Sequence, residues 1–295
     1  PSPGSPNKYA KHDKFEIRES TSQKGKYQLI SPDIATCEDC LSDIFSTANR
    51  RYRYPFTNCT NCGPRFTIIE DMPYDRPQTA LRSFQMCPPC QAEYDNPLDR
   101  RFHAQPNACE DSGPHRALYD NNRQKIATPK PIEKTTKLLK QGCIIAIKGL
   151  GGFHLAVDAE NDQAVATLRK RKHREEKPFA LMSLDVESVQ SYAQVGSEEE
   201  KLLTSPQRPI VLLKKKEPNS IAKAVAPSNC YFGAMLPYTP QHYHVLNPDV
   251  MDLVMTRGHL REEPLAIHNQ DTFASLSDCA DYFLSHNREI YLINY

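Results

Sequence analysis

The chain has 295 residues, with 37 Lys and Arg against 36 Asp and Glu and a net charge of +1. That balance supplies no global field for nucleic acid or an anionic membrane, and no apolar run approaches the ~18 residues that a membrane span needs. The length suits two domains; 39% apolar content without tryptophan suits a modest core beside a large irregular part, and 24 prolines against 11 glycines mark many fixed turns.

Residues 1–30 read as a polar lead-in. Positions 1–14 are proline-rich and expected to be disordered or vector-derived. The apolar beats Phe15/Ile17 and Tyr27/Leu29 suggest one short strand or hairpin.

Residues 31–127 hold seven of the ten cysteines in a run that repeats itself, C-x2-C-x18-C-x2-C-x24-C-x2-C-x18-C-x2-S from Cys37 to Ser112. Shifted by fifty residues, Cys37, Cys40, Cys59 and Cys62 fall on Cys87, Cys90, Cys109 and Ser112. Arg50-Arg51-Tyr52 falls on Arg100-Arg101-Phe102, and Gly63-Pro64 on Gly113-Pro114. A duplicated module is the simplest account. Two thiolates three residues apart can approach one metal from a tight turn, and a second such turn completes a tetrahedron. Zinc, tolerant of geometry and redox-inert, is the natural ion. Segments this polar bury little core, so metal would supply most of the folding free energy, on the order of 10 kcal/mol per site. Two zinc sites are expected, the first on Cys37, Cys40, Cys59 and Cys62. The second uses Cys87, Cys90 and Cys109, with His115, or else His103, closing the shell that Ser112 leaves short. Three thiolates and a water are the alternative. Disulfides or redox pairs fit less well, because no secretory signal opens the sequence and Cys143, Cys230 and Cys279 lie scattered beyond, as small core residues. The same features favour the cytoplasm.

Within the modules Leu41–Phe45 reads as a helical turn, Arg65–Ile69 as a strand, and His115–Ile126 as a hairpin about Asp120-Asn121-Asn122. Thr128–Pro131 is the expected linker to a second domain, 128–295. There Glu133–Gln141 is helical with Gly142 as its stop. Cys143–Ile147 and Phe153–Val157 are buried strands, and Asn161 or Asp162 caps a helix reaching about His173. Pro178–Leu184, Pro209–Leu213 and Leu253–Thr256 read as strands; Val186–Ala193, Ser197–Leu203 and Ser275–Leu284 as helices; Ile290–Ile293 as a last strand. Strands alternating with helices predict an α/β, mixed sheet covered by helices.

The most unusual stretch is Leu168-Arg-Lys-Arg-Lys-His-Arg-Glu-Glu-Lys-Pro178. Cations at a helix C-terminus are favoured by its dipole, so a solvated helix end explains them, as does a localisation or RNA patch. Alternatively Lys172, Arg174 and Lys177 converge on phosphate oxygens. The glycine run after Lys148 lacks the Gly-Lys-Ser/Thr end of a P-loop, and His154 within it reads as a histidine satisfied by backbone.

Taken in order, the doubled cysteine spacing, Lys148-Gly-Leu-Gly-Gly-Phe-His-Leu155, Arg171-Lys-His-Arg-x-x-Lys-Pro-Phe179 and Met235-Leu-Pro-Tyr-Thr-Pro240 resemble one family. That family is HypF, the carbamoyltransferase of NiFe-hydrogenase maturation, and the likeness runs from about Phe15 to Arg288. It implies tandem small zinc-finger modules followed by a YrdC-like twisted mixed sheet. These are the middle two pieces of a family with an acylphosphatase-like domain in front and a transferase domain behind. It also implies that carbamate, released from carbamoyl phosphate, reacts with ATP and its Mg2+ to give carbamoyl-adenylate and pyrophosphate, the carbamoyl group passing on to HypE. By the resemblance Lys172 and Arg174 form the catalytic Lys-x-Arg motif that holds the phosphates, with Lys177 beside them. Lys148, Thr256, Arg257 and His259 complete the expected nucleotide contacts.

Where the family reads close to Thr-Ser-Gly-Asn-Leu-Ser-Gly-Glu-Pro, this chain has Thr256-Arg-Gly-His-Leu-Arg-Glu-Glu-Pro264. Arg257 and His259 replace a small hydroxyl and an amide, which puts a pocket shaped for adenylate in doubt, although Arg257 can itself meet a phosphate. The competing reading is a zinc-stabilised module that binds double-stranded RNA or a protein partner, without catalysis, through the 169–177 cations.

Overall fold

A computed structural model describes residues 30–258 and 269–292. The lead-in expected up to Ile30, apart from Ile30 itself, lies outside them, and so do positions 259–264 of the altered loop, His259 included.

Each repeat opens on a short helix that starts directly after its first cysteine: α1 (Glu38–Phe45) after Cys37 and α2 (Pro88–Asp95) after Cys87. Proline is tolerated at the start of α2 because the first N–H groups of a helix have no intrahelical partner. The strand expected at Arg65–Ile69 is instead a 3-10 turn, Phe66–Ile68. Asp33 Oδ1 accepts from the backbone N–H of Arg65 (2.7 Å) and of Thr67 (3.2 Å), which coils the segment and leaves only Ile69 to bridge to Thr79.

The hairpin expected after the second repeat is present. Strand β1 (Arg116–Asp120) turns back so that Lys125 bridges to Tyr119. Although β1 precedes the linker expected at 128–131, it pairs antiparallel with the last strand and forms one edge of the main sheet.

Helix α3 (Pro131–Lys140) ends at Gly142, whose φ of +84° gives the left-handed step that glycine takes without a Cβ clash. Then follow β2 (Ile145–Lys148), β3 (Phe153–Asp158) and α4 (Asp162–Arg171), capped by Asn161, whose Oδ1 accepts the Ala164 N–H at 3.0 Å. The rest comprises β4 (Ala180–Ser183), α5 (Val186–Tyr192), α6 (Ser197–Thr204), β5 (Val211–Lys214), β6 (Tyr231–Met235), α7 (Pro240–Val245), β7 (Asp252–Arg257), α8 (Asn269–Ser275) and β8 (Tyr282–His286). The eight strands form one mixed sheet in the order β1-β8-β2-β3-β7-β4-β6-β5. The pairs β2–β8 and β4–β6 are parallel and the others antiparallel.

Alternation along the strands feeds two cores. Phe153, Leu155 and Val157 of β3 face one side with α4, α5, α6 and α8, while Ala156 faces the other with α3 and α7. The helix expected over Ser275–Leu284 stops at Ser275, and Tyr282–His286 is strand β8 between β1 and β2. No strand forms over the described part of the Ile290–Ile293 segment. Among the described residues no helix is long and apolar enough to cross a membrane.

Candidate functional site

The thiol sulphurs of Cys37, Cys40, Cys59 and Cys62 all lie within 4.8 Å of one another. Cys37 and Cys59 are 3.6 Å apart and Cys59 and Cys62 3.8 Å, well beyond the ~2.05 Å of a disulfide. Thiolates this close repel one another unless a cation sits among them, and four soft donors at one point fit zinc. Cys87, Cys90 and Cys109 form a second such group, with Cys87 and Cys109 3.7 Å apart. Ser112 keeps the place of the fourth ligand, its Oγ 3.5 Å from the sulphurs of both Cys90 and Cys109.

His115 is not brought into that group. It is exposed, Nδ1 lies 3.3 Å from Glu110, and its backbone N–H donates to Asn287 Oδ1 at 2.8 Å as the chain leaves for β1. His103 stacks on Tyr94, ring centroids 4.8 Å apart. Of the remaining cysteines Cys279 is buried, Cys143 half-buried and Cys230 exposed, so Cys230 is not the core residue expected.

The second candidate site lies where α4 ends. Lys172 caps the helix, His173 takes a positive φ of 48°, and the chain swings out before entering β4. A cavity of about 830 Å³ opens there, lined by Lys172, Arg174, Lys177, Pro178, Thr256 and Arg257 among others. Lys172 Nζ donates to the Arg257 carbonyl at 2.8 Å. Arg174 donates to the carbonyls of Lys177 (2.9 Å) and Pro178 and to Thr256 Oγ1 (3.3 Å), with its guanidinium 4.8 Å from the Phe179 ring centre. Burial first, and the neighbouring Arg174, bring the Lys172 ammonium down to about 8 against a smaller upward pull from Cys279. An ammonium destabilised by burial and a neighbouring cation gains from a polyanion, whose charge offsets both effects.

Sequence reasoning missed the brace behind this loop. Arg169 donates to the carbonyls of Arg174 (2.8 Å), Glu175 (3.0 Å) and Ala224 (2.6 Å), tying the loop to the body of the sheet domain. Its signal was its place in the same run of cations, one turn before the helix ends. Gly258 fixes the other wall. Its N–H donates to the Phe153 carbonyl at 2.7 Å, and a Cβ there would meet that oxygen at 2.8 Å.

Lys148 is placed elsewhere. Its side chain turns inward at the end of β2, donating to Asn269 Oδ1 (2.9 Å) and to the carbonyls of Arg288 (3.1 Å) and His286 (3.3 Å). Burial, then Arg288 and Arg116, lower it to about 7. The structure therefore brings together Lys172, Arg174, Lys177, Thr256 and Arg257, and leaves Lys148 behind them as a clamp on the chain after β8.

A further cavity of about 410 Å³ shares Ile210, Met255 and Arg257 with the first and reaches Asp33 of the finger region. His154 lines it, and the expectation that backbone satisfies this histidine does not hold at Nδ1, which is buried without a hydrogen-bond partner. Burial and Arg257 hold its imidazole at about 4, neutral at physiological pH.

Comparison with known proteins covers both the fingers and the sheet domain. Residues 137–293 match the family of Sua5, YciO and YrdC, described as telomere recombination, and residues 36–69 and 86–119 each match the HypF finger. The chain is 46% identical over 276 residues to the carbamoyltransferase HypF of Rhodobacter capsulatus and 45% identical over 294 residues to HypF2 of Cupriavidus necator. Each comparison covers 94% of this chain and 36% of the relative, so the chain spans about a third of their length. A crystal structure of full-length HypF in a phosphate- and nucleotide-bound form superposes with a TM-score of 0.86 at 50% identity, and HypF of T. kodakarensis with 0.88 at 47%. Each superposition covers 92% of this chain and 35% of the other. Through its sheet the chain belongs to the Sua5, YciO and YrdC family, and with its two fingers it carries the zinc-finger and YrdC-like portion of the HypF family.

Proposed function

We propose that this chain binds ATP with its Mg2+ in the cation-lined cavity and forms carbamoyl-adenylate there, as part of a carbamoyltransferase of hydrogenase maturation. The observation that carries the reading is the convergence of Lys172, Arg174 and Arg257 on one cavity beside Thr256, in a chain 46% identical to a named carbamoyltransferase. An oxygen of carbamate, itself released from carbamoyl phosphate, attacks the α-phosphorus. The bond to the β-phosphate breaks and pyrophosphate leaves. Negative charge grows on the leaving oxygen and the equatorial oxygens, where fixed cations stabilise it most. Lys172 and Arg174 serve that role, Lys177 steers the polyanion at the rim, and Arg169 holds the loop in shape. Arg257 adds a cation at the wall shared with the adjoining cavity.

The acceptor of the carbamoyl group is HypE, and the zinc-type clusters hold each finger in its fold. A double-stranded-RNA role for the same cations is less well supported, since Lys172 and Arg174 are directed at the cavity and bonded to its walls. The test is exchange of labelled pyrophosphate into ATP by this chain, with and without carbamoyl phosphate or carbamate. Carbamate-dependent exchange is expected, with a loss of at least about 100-fold in Lys172→Ala, as for removal of a group stabilising transition-state charge. Exchange absent from a folded, zinc-loaded chain would overturn the reading.

A further inference from the structure

We propose that arginines of each finger repeat act as positioning residues for the metal ligands of the other repeat. The contacts are reciprocal across the fifty-residue shift. Arg100 of the second repeat donates through Nη1 to Cys40 Sγ of the first cluster at 2.9 Å, and through Nη2 pairs with Asp43 on α1. Arg50 of the first repeat donates to Cys90 Sγ of the second cluster through both Nη atoms at 3.4 Å, and pairs with Glu93 on α2 at 2.6 Å. The next residue repeats the exchange. Arg101 pairs with Asp43 and donates through Nε to the Asn58 carbonyl at 3.1 Å. Arg51 pairs with Glu93 at 2.5 Å and donates through Nε to the Ala108 carbonyl at 2.9 Å.

Arg51 is 1% exposed and Arg101 5%, so these pairs are sheltered from water rather than loose surface contacts. Thiolates gathered on a divalent ion carry net negative charge, and N–H donors to the sulphur spread it and fix the ligand's direction. Within its own repeat the Arg-Arg pair lies midway between the two cysteine pairs. Folding presents it to the neighbour's first helix, where one carboxylate, Asp43 or Glu93, orients both guanidinium groups at once. The duplication therefore yields two metal centres each completed from outside its own repeat.

The test follows release of zinc from the whole chain to a colorimetric chelator, with freed thiols alkylated and located by mass spectrometry. Arg100→Gln is expected to weaken the Cys37, Cys40, Cys59 and Cys62 site by about 10- to 100-fold, the range for losing an outer partner of a metal ligand. Arg50→Gln is expected to do the same to Cys87, Cys90 and Cys109. Arg82→Gln, which breaks an exposed pair with Glu70, should move neither site. If Arg100→Gln does not fold, Arg100→Lys keeps the charge and loses the fork, and its smaller loss must again fall on the first cluster. Loss confined to the variant's own repeat, equal loss at both clusters, or unchanged release overturns the proposal.

Discussion

In the finger region the apolar clusters are three separate groups of three buried residues each, one of them made of its own cysteines. Among the described residues, the sheet gathers thirty on one face and fifteen on the other. Apolar burial, at roughly 25 cal/mol per Å², can hold the second region and not the first. Ligand shells and buried arginine–carboxylate pairs must do so in the fingers. Burial opposes ionisation of Glu93, yet Arg51 and Arg50 hold its carboxyl down at about 2, a measure of how strongly such a pair is fixed. One chain thus carries two regions that fail under different insults.

Stripping metal with a strong chelator should have the largest effect, on the order of 10 kcal/mol per site. Hydrogen exchange is expected to show α1 and α2 losing protection while β2, β3 and β7 keep theirs. Fingers that stay protected without metal would break the contrast. Next comes Phe153→Ala, which removes a side chain with no exposed surface from the larger core. It should cost about 3–5 kcal/mol in denaturant unfolding of the sheet, with alkylation rates of the finger cysteines unchanged at low denaturant. The smallest effect is on pH. With Lys172 lowered from 10.5 to about 8, ATP affinity should be highest below about pH 8. It should fall by up to tenfold per unit as pH rises further, because the bound polyanion favours the protonated amine. Arg at this position stays charged, so Lys172→Arg should flatten the profile in a binding titration. For folding the sign reverses: the fold disfavours the protonated amine, so this group's penalty fades as pH rises from about 8 towards 10.5.

The cysteine spacing was legible because ligand geometry is local: two residues between thiols set a turn whatever surrounds it. The cation loop was legible for the same reason, and Lys172, Arg174 and Lys177 do line one cavity. Lys148 was not, because sequence shows a cation at a strand end but not which way it turns. Here burial and three oxygen acceptors draw it inward. The Ser275–Leu284 segment misled because Leu276, Phe283 and Leu284 are all fully buried. A strand inside a sheet, covered on both faces, has no polar side to reveal its period. His115 was chosen by proximity to Ser112, and the turn into β1 carries its ring away. The arginine contacts between repeats span 39 to 61 positions and leave no local trace.

Strand β1 belongs by position to the tail of the second finger and by hydrogen bonding to the sheet. Cutting the chain at the 128–131 link would strip β8 of its outer neighbour, baring a ladder of amides and carbonyls. Exposed edges of that kind recruit other chains. Isolating the sheet domain at the obvious boundary would therefore trade a closed flank for an adhesive one, and a soluble excised fragment has to begin before Arg116.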